Sequence, residues 1–475
     1  IPSIVPQLSE PLLSYVGAVR FARNAQGYLQ EGYRKYKGSV FRVPMFDRWV
    51  VVVCGAAMCE ELRRYPEDKM SFYEAAHELV QTKYTITASL IQTPIHVPVI
   101  QGPLTRNLDV LLLDMISEIA IAIPKAIPVK GDEWVKLPGY ATITQIVAQV
   151  SNRAFVGAPT CRNQEHLDII INFTGGVAKA RFILGFVPHF LKRFVGTVLP
   201  WSRNAMKRFK ALIRNVVEQR QSELRKHGKD WTDKPCDLLT WLVEGAQETG
   251  GSTDLIAEAL LVTNFLATHT SSSSLTHALY SLAANQQYLQ PLREEVEAAV
   301  KTDGWTKAAI NKLWRLDSFL KETQRLYGIG SVALIRKAIQ DITLSDGTLI
   351  PTGTICAAAA FPLHHDKEYY ADPDEFNPFR FSDMRASSEG NNVKHQYVNT
   401  SSEYIAFGHG KLACPGRFFA SIELKAILAY LIINYDIKTE DGRRPKDHWF
   451  GTAIVPNTSA HVMFRKRQFG STAVA

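Results

Sequence analysis

One cysteine near the C-terminus has the surroundings of a metal ligand. Cys414 lies in the segment FGHGKLACPGRFFA (407–420), which is rich in glycine and runs directly into an apolar helical pattern. Glycine lets the backbone pass where a side chain would clash, for instance close to a flat cofactor. The first amides of the helix point back at the sulfur and favour a thiolate, which is a good ligand for one soft or redox-active metal. The alternative is a buried, inert cysteine at a strand–helix corner.

The elements that would position this cysteine are mainly helical. Helical periodicity is predicted over 104–121, 138–156, 165–186, 203–226, 236–247, 253–284, 286–301 and 315–327. The pattern over 253–284 would form a helix about 48 Å long, enough to cross a domain. Strands are predicted at 39–43, 49–54, 332–339, 354–359 and within 434–466. No repeat or linker divides the chain, so we expect one domain, 1–475, with a smaller sheet built from both ends of the chain.

Composition and charge restrict the function. The chain of 475 residues is 46% apolar and 21% charged, as in ordinary globular proteins. Its net charge of +8 comes without a basic–aromatic array, so we expect no nucleic acid partner. A basic surface suits an anionic membrane or an acidic protein partner, or is simply solvated. The six cysteines lack regular spacing, which argues against a disulfide framework or a zinc ribbon. The chain contains no run of eighteen apolar residues, so its sequence predicts no transmembrane span.

The cysteine segment resembles the haem-binding loop of the cytochrome P-450 family. Phe407, Gly410, Cys414 and Gly416 match that loop residue by residue, whereas Leu412 replaces its usual basic residue. The resemblance implies a mainly α protein with a smaller β region and the cytochrome P-450 fold. In that fold a long central helix lies over the haem and the thiolate loop lies beneath it. The expected cofactor is haem b, with Cys414 as the ligand of its iron.

The resemblance also implies basic partners for the two haem propionates. Lys411 and His409 lie close to the position that Leu412 leaves without a basic residue. Arg336 matches a family arginine that pairs with a propionate, an interaction that suits a guanidinium group. A surface arginine on an edge strand is the alternative. The second partner is expected from the region 96–110, where His96 and Arg106 are candidates.

Three further charged residues match a structural cluster of the family. Glu322 and Arg325 are three residues apart, so that on a helix they share one face and can pair. Alone, such a pair is usually exposed and worth under ~1 kcal/mol. In the family, a glutamate and two arginines form a buried cluster behind the haem, and Arg380 matches the third member.

The long helix carries the residues that correspond to the oxygen-binding side of the family. Ala267 matches the small residue that makes room for oxygen, and Thr270 matches the threonine that relays protons. His269 replaces the usual acid, as in some fungal members, and imidazole can also relay protons. The alternatives are that His269 braces the helix and that the Thr270 hydroxyl bonds to the carbonyl four residues earlier.

The resemblance implies a monooxygenase that hydroxylates a bulky hydrophobic molecule. The chain has no flavin or dinucleotide fingerprint, so we expect NADPH–cytochrome P-450 reductase to supply electrons by docking near Lys411 and Arg417. Pocket segments are expected at 77–100, 165–186, 264–268, 331–334 and 450–454, with Asn264, Thr268, Ser331 and Thr452 as polar anchors. The similarity to fungal members favours a terpenoid, indole-terpenoid or other alkaloid substrate.

The resemblance also places the protein at a membrane. Residues 1–6 resemble the end of the proline-rich segment that follows a membrane anchor, so we expect an anchor-truncated form of a protein on the cytosolic face of the endoplasmic reticulum. The apolar segment 187–201 could dip into the membrane or form a packed loop. We expect a monomer. Two other functions stay open: oxidative coupling, ring closure or rearrangement without net oxygen insertion, and a non-catalytic haem binder.

Overall fold

Helices dominate the computed structural model of the protein. It describes residues 1–5, 11–86, 90, 93–387 and 393–468, apart from the side chains of residues 11–15, 189 and 229. Residue 6 of the expected anchor boundary, and residues 87–89 and 91–92 of the expected pocket segment, lie outside this range.

The helices follow one another in chain order. They are α1 (Pro11–Arg23), α2 (Ala25–Lys35), α3 (Ala56–Arg64), α4 (Phe72–Val80), α5 (Thr82–Thr85), α6 (His96–Val99), α7 (Leu108–Ala126), α8 (Gly139–Phe155), α9 (Gln164–Gly185), α10 (His189–Val198), α11 (Trp201–His227), α12 (Leu238–Thr249), α13 (Thr253–Ala284), α14 (Leu289–Asp303), α15 (Lys307–Lys312), α16 (Trp314–Leu326), α17 (Ala360–His364), α18 (Arg380–Ser387) and α19 (Arg417–Asn434).

The strands are short and belong to several sheets. They are β1 (Val40–Pro44), β2 (Trp49–Val53), β3 (Met70–Ser71), β4 (Val135–Pro138), β5 (Ala333–Ala338), β6 (Ile342–Thr343), β7 (Leu349–Ile350), β8 (Ile355–Ala358), β9 (Tyr435–Lys438), β10 (His448–Phe450), β11 (Ala453–Val455) and β12 (His461–Lys466). The largest sheet has the order β1-β2-β8-β5-β3, and a second has the order β4-β12-β9.

The β region agrees with the sequence in its strands and differs in its assembly. The strands predicted at 39–43 and 49–54 form and pair as an antiparallel hairpin, with Val40 opposite Val53 and Pro44 opposite Trp49. The prediction of a single sheet built from both chain ends is wrong. The five-stranded sheet joins the N-terminal strands to β5 and β8, whereas β12 pairs with β4 from the middle of the chain. Strand pairing across more than 300 residues leaves no signal in local periodicity, and β4 is only four residues long.

The long helix α13 forms as predicted. Ser252 caps its N-terminus, since the Ser252 Oγ accepts a hydrogen bond from the Leu255 N–H at 3.2 Å. The helix then continues for 32 residues and is buried over most of its length. In its middle, however, Leu266 is 51% exposed and Thr270, one turn later, is also exposed. Because buried residues flank this pair on both sides along the helix, we infer that it faces an opening within the helical body.

Helix boundaries differ from the sequence where proline and glycine occur. The helix predicted from 104 begins at Leu108, because Gly102 and Pro103 lie in a π-helical turn that precedes it. Four helices, α1–α4, precede residue 81, where periodicity indicated none. All six cysteines are free thiols, as their spacing predicted. Within the described ranges, no helix combines the length and apolarity that crossing a bilayer requires.

Candidate active site

The loop before α19 holds Cys414 by its own backbone. The Cys414 N–H donates to the Phe407 carbonyl at 2.7 Å. Gly408 and Gly410 have φ angles of +71° and +75°, which L side chains rarely adopt. A Cβ at Gly410 would also collide with the Arg63 side chain. Gly410 is therefore required by its backbone angle and by a neighbouring arginine, and the expected close approach to a cofactor is not needed to explain it.

The sulfur of Cys414 experiences two opposing effects. The backbone N–H groups of Gly416 and Arg417 and the charge of Arg417 lower its pKa, whereas burial raises it by more. The helix start therefore acts in the predicted direction, but burial outweighs it and the net effect on the pKa is upward. Protein surrounds Cys414 closely enough to raise the pKa of its thiol, yet the residue is exposed. Both observations hold if the side chain lies inside the fold and faces an open space. A metal there would deprotonate the thiol outright.

Arg336 lies on the inner face of β5. The pairing of β5 with β8 shifts register between Ala333 and Arg336, and Leu334 in this stretch has a φ of +50°. Arg336 is 2% exposed, and burial lowers its pKa. One terminal nitrogen donates to the Ile335 carbonyl at 2.7 Å, but Nε has no acceptor among the described residues. A buried guanidinium donor without an acceptor needs a partner, so the alternative of a surface arginine is wrong.

The remaining propionate candidates separate by burial. His96 is buried at the start of α6 with Nδ1 unpartnered within the described chain, and burial lowers its pKa to about 4. Arg106 and Lys411 are exposed. His409 is engaged elsewhere, since Nδ1 lies 3.0 Å from Thr400 Oγ1 and Nε2 lies 3.5 Å from Glu60. The buried orphan nitrogens of Arg336 and His96 therefore fit the anionic edge of a haem, whereas Arg106 and Lys411 reach solvent.

Behind the loop, the predicted charged cluster is confirmed. Glu322 accepts from Arg325 Nε and a terminal nitrogen, both at 2.8 Å, and from Arg380 Nε at 3.1 Å. Glu322 and Arg325 are at most 1% exposed and Arg380 is 9% exposed. Arg325 also donates to the His364 and Pro373 carbonyls at 2.6 and 2.7 Å. The cluster fastens α16 and the segment before α18 together.

Thr270 faces the opening beside α13, yet its hydroxyl proton is donated within the helix. Its Oγ1 donates to the Leu266 carbonyl at 2.8 Å and lies 3.1 Å from the Ala267 carbonyl. This is the back-bonded arrangement that the sequence left open. A hydroxyl that donates in this way keeps two lone pairs as acceptors. Thr270 can therefore still accept a hydrogen bond from a group in the opening, and the small side chain of Ala267 leaves space beside it.

His269 points away from that opening and braces the helix. Its Nε2 lies 2.9 Å from the Ile171 carbonyl on α9, and its Nδ1 lies 3.2 Å from the Tyr140 hydroxyl on α8. The carbonyl can only accept, so Nε2 carries the proton and Nδ1 accepts from Tyr140. Burial lowers the pKa of His269 and keeps this neutral form. With both nitrogens occupied, His269 has none left for a proton relay in this arrangement.

Two residues near the site differ from what the sequence indicated. Asn264, expected as a polar anchor in the pocket, is fully buried and accepts from Asn152 Nδ2 on α8 at 2.8 Å. Glu423, which the sequence analysis missed, is a fully buried acid on α19 that accepts a hydrogen bond from Ser151 on α8. The only signal for Glu423 was a carboxylate in an apolar helical pattern, nine residues after Cys414.

Segment 187–201 is mostly helix α10 and not a packed loop. Phe190, Phe194 and Val198 lie four residues apart and are 74%, 69% and 75% exposed. Lys192, on another side of the helix, is buried and lies 3.3 Å from Asp47. The ion pair holds α10 in place while its phenylalanines project outward.

Comparisons with known proteins agree with this geometry. The cytochrome P450 family description matches residues 6–463. The chain is 55% identical to cytochrome P450 monooxygenase 103 of Postia placenta, over 98% of this chain and 93% of the relative. It is 39% identical to cytochrome P450 monooxygenase CYP512U6 of Ganoderma lucidum (98% and 91% covered) and 34% identical to ent-kaurene oxidase of Gibberella intermedia (94% and 85%).

The fold comparison agrees as well. The structure of retinoic acid-bound cyanobacterial CYP120A1 superimposes with a TM-score of 0.73 at 18% identity, covering 98% of this chain and all of the other. The predicted fold class is thereby confirmed, and haem and reductase-supplied electrons come with the family. The chain belongs to the cytochrome P450 family of haem-thiolate monooxygenases.

Proposed function

We propose that the protein uses oxygen to hydroxylate or otherwise oxidise a bulky hydrophobic small molecule of fungal secondary metabolism, a terpenoid or an alkaloid. The observation that carries the proposal is Cys414 itself, an exposed residue directly before α19 whose thiol pKa is nevertheless raised by the protein around it. Similarity to a relative named ent-kaurene oxidase supports a polycyclic, apolar substrate. The apolar Leu266, exposed in the middle of α13, suits a pocket for such a molecule.

Each residue has a defined part in holding the cofactor, which we propose to be haem b. Cys414 would ligate the iron, and Arg336 and His96 would hold the propionates with their unpartnered nitrogens. Bound in this way, haem would supply oxygen activation, with the Cys414 thiolate donating electron density to its iron. The Glu322–Arg325–Arg380 cluster keeps the surrounding segments fixed, so that the cysteine loop holds its position.

Thr270 controls protons on the other side of the pocket. Because its own proton is donated to the Leu266 carbonyl, its oxygen presents lone pairs to the opening. It can accept a hydrogen bond from a water molecule there and orient that water as a proton donor. The small side chain of Ala267 leaves room for oxygen. His269 acts indirectly, since its bonds to Tyr140 and Ile171 set the rotation of α13.

Surface features support the proposed partners and location. Lys411 is exposed beside the cysteine loop and suits docking of NADPH–cytochrome P450 reductase, whereas Arg417 is partly buried and donates to the Cys414 carbonyl at 2.8 Å. The exposed phenylalanines of α10 suit insertion into a bilayer surface. We therefore propose a monomer on the cytosolic face of the endoplasmic reticulum that takes its substrate from the membrane.

The spectrum of the reduced, carbon monoxide-bound protein tests the cofactor assignment. A strongly red-shifted Soret band that is lost in Cys414→Ser would support thiolate ligation by Cys414. Turnover with reductase, NADPH and labelled oxygen then tests the reaction. Label in the product supports hydroxylation, unlabelled product supports coupling or rearrangement, and absence of any turnover across a terpenoid and alkaloid panel would contradict both.

Thr270→Ala tests the proton role. Loss of a group that assists proton transfer typically slows a reaction by about 10²–10⁴-fold. We therefore expect the amount of product per NADPH to fall at least about tenfold, while oxygen is still consumed and released as hydrogen peroxide. Thr276→Ala is the matched control, because the Thr276 hydroxyl lies on the same helix and also donates to the carbonyl four residues earlier, at 2.7 Å, but is fully buried. Equal coupling in Thr270→Ala and the control would refute the proton role.

A further inference from the structure

A groove with several charged side chains in its walls lies beside the start of α19. Its volume is about 250 Å³. The walls come from the N-terminal end of α7, the N-terminal half of α19, helices α15, α16 and α18, and the segment around Gln396. The polar and charged side chains that matter here are Lys307, Asn311, Asp317, Arg385, Ser421 and Lys425.

The floor of the groove holds a buried ion pair. Lys425 Nζ lies 3.0 Å from Asp317 Oδ1, and the two residues are only 6% and 4% exposed. Asp317 is already shared, because Oδ2 accepts from the Tyr397 N–H at 2.8 Å and lies 3.5 Å from Arg385. The one carboxylate that lines the groove thus serves three donors.

Lys425 is left with unused donors. An ammonium group has three N–H donors, and among the described residues Asp317 is the one acceptor within reach. A buried charge with unmet hydrogen bonds is costly unless a partner is present. Lys307 and Arg385 add positive charge to the same groove. Lys307 lies 3.5 Å from Asp109 and Arg385 lies 3.5 Å from Asp317, so with Lys425 three cations share these two carboxylates.

Helix geometry separates the groove from the interior acid of α19. Ser421 and Lys425 are four residues apart and share one face of the helix. Glu423, between them, is directed to Ser151 on α8. The groove opens outward, since Asn311 is exposed and the Lys307 side chain is 39% exposed at its rim. An anion in solution can therefore reach Lys425 without passing the pocket.

We infer that this groove binds a small oxyanion of the phosphate or carboxylate class, with Lys425 as its buried anchor. The Ser421 hydroxyl and the Asn311 amide supply further donors beside it. The volume exceeds that of a bare phosphate ion, so the groove also accommodates part of the group that carries the oxyanion. Two sources share this chemistry: a free phosphorylated metabolite and a carboxylate side chain of another polypeptide.

Calorimetric titration of the haem-loaded protein with inorganic phosphate, at ionic strength held constant with chloride, tests the inference. We expect one saturable site per chain, weakened at least about tenfold in Lys425→Met, which loses charge-assisted hydrogen bonds. Lys226→Met, an exposed lysine at the end of α11, is the matched control and should leave the affinity unchanged. Non-saturable binding, or equal affinity in Lys425→Met and the control, would overturn the inference.

Two additions keep the test decisive. If Lys425→Met fails to fold because Asp317 loses its partner, Lys307→Met at the exposed rim should still weaken phosphate binding severalfold, and unchanged affinity there counts against the site. Titration with acetate and glutamate separates the sources. Tighter phosphate binding indicates a free metabolite, whereas tighter carboxylate binding indicates an acidic side chain of a partner.

Discussion

Glu423→Gln should stabilise the protein at neutral and alkaline pH. Glu423 is fully buried, it accepts a hydrogen bond from Ser151, and no ion pair reaches it within the described chain. Ser271 on α13 lies close enough to lower its pKa, but Oε2 has no partner of good geometry among the described residues. Burial outweighs both serines and raises the pKa of Glu423 from 4.5 to about 7. The acid therefore joins α19, α8 and α13 in its protonated form.

The sign and the size of the effect follow from that pKa. Between pH 4.5 and 7 the unfolded chain releases the proton while the folded protein retains it, so Glu423 makes the free energy of unfolding fall as pH rises. Above pH 7 the loss is complete and amounts to about 3 kcal/mol, because one pKa unit corresponds to about 1.4 kcal/mol. Glutamine keeps the shape and the hydrogen-bonding capacity but does not ionise.

Denaturant unfolding of the haem-loaded wild type and Glu423→Gln between pH 4.5 and 8 measures this difference. We expect the variant's advantage to grow with pH and to level off above pH 7. Glu31→Gln, at an exposed position of α2, is the control and should show no such trend. A difference between wild type and Glu423→Gln that does not change with pH, or that favours the wild type at pH 8, would refute the reasoning.

Three further predictions concern the charged cluster, the propionate contact and helix α10. Glu322→Ala leaves Arg325 and Arg380 buried without their carboxylate, so it should lower the free energy of unfolding by roughly 3–5 kcal/mol. The control Glu440→Ala removes one partner of an exposed ion pair and should lower it by under ~1 kcal/mol. Comparable losses in both variants would contradict a structural cluster. Arg336→Leu should weaken haem retention about tenfold, measured as haem per protein after dialysis, whereas the exposed Arg443→Leu retains haem; full retention in Arg336→Leu would exclude a propionate contact. The double change Phe190→Asp and Phe194→Asp should lower binding to anionic lipid vesicles at least about tenfold, whereas Leu349→Asp, an exposed apolar site on β7, should not; equal binding would exclude α10 as a membrane contact.

Local patterns in the sequence identified much of the site. The spacing around Cys414, the pairing of Glu322 with Arg325 and the extent of α13 could all be predicted, because each depends on neighbours within one or two helical turns or on a contiguous motif. The strands of the first hairpin were predictable for the same reason. Helices α1–α4 were not predicted because they are only 13, 11, 9 and 9 residues long, so each repeats its apolar face only a few times.

Other features were decided by tertiary structure. His269 and Thr270 are adjacent in sequence, but one turns toward α8 and α9 and the other toward the opening; periodicity gives the angle between them and not the surfaces that they meet. Among the basic propionate candidates, only burial distinguishes Arg336 and His96 from Arg106 and Lys411. The raised pKa of Glu423 likewise depends on residues more than 100 positions away. Sequence by itself determined which chemical groups the protein carries, whereas packing between distant segments decided which of them are desolvated, paired or open to a ligand, because desolvation and hydrogen bonding depend on the complete three-dimensional surroundings.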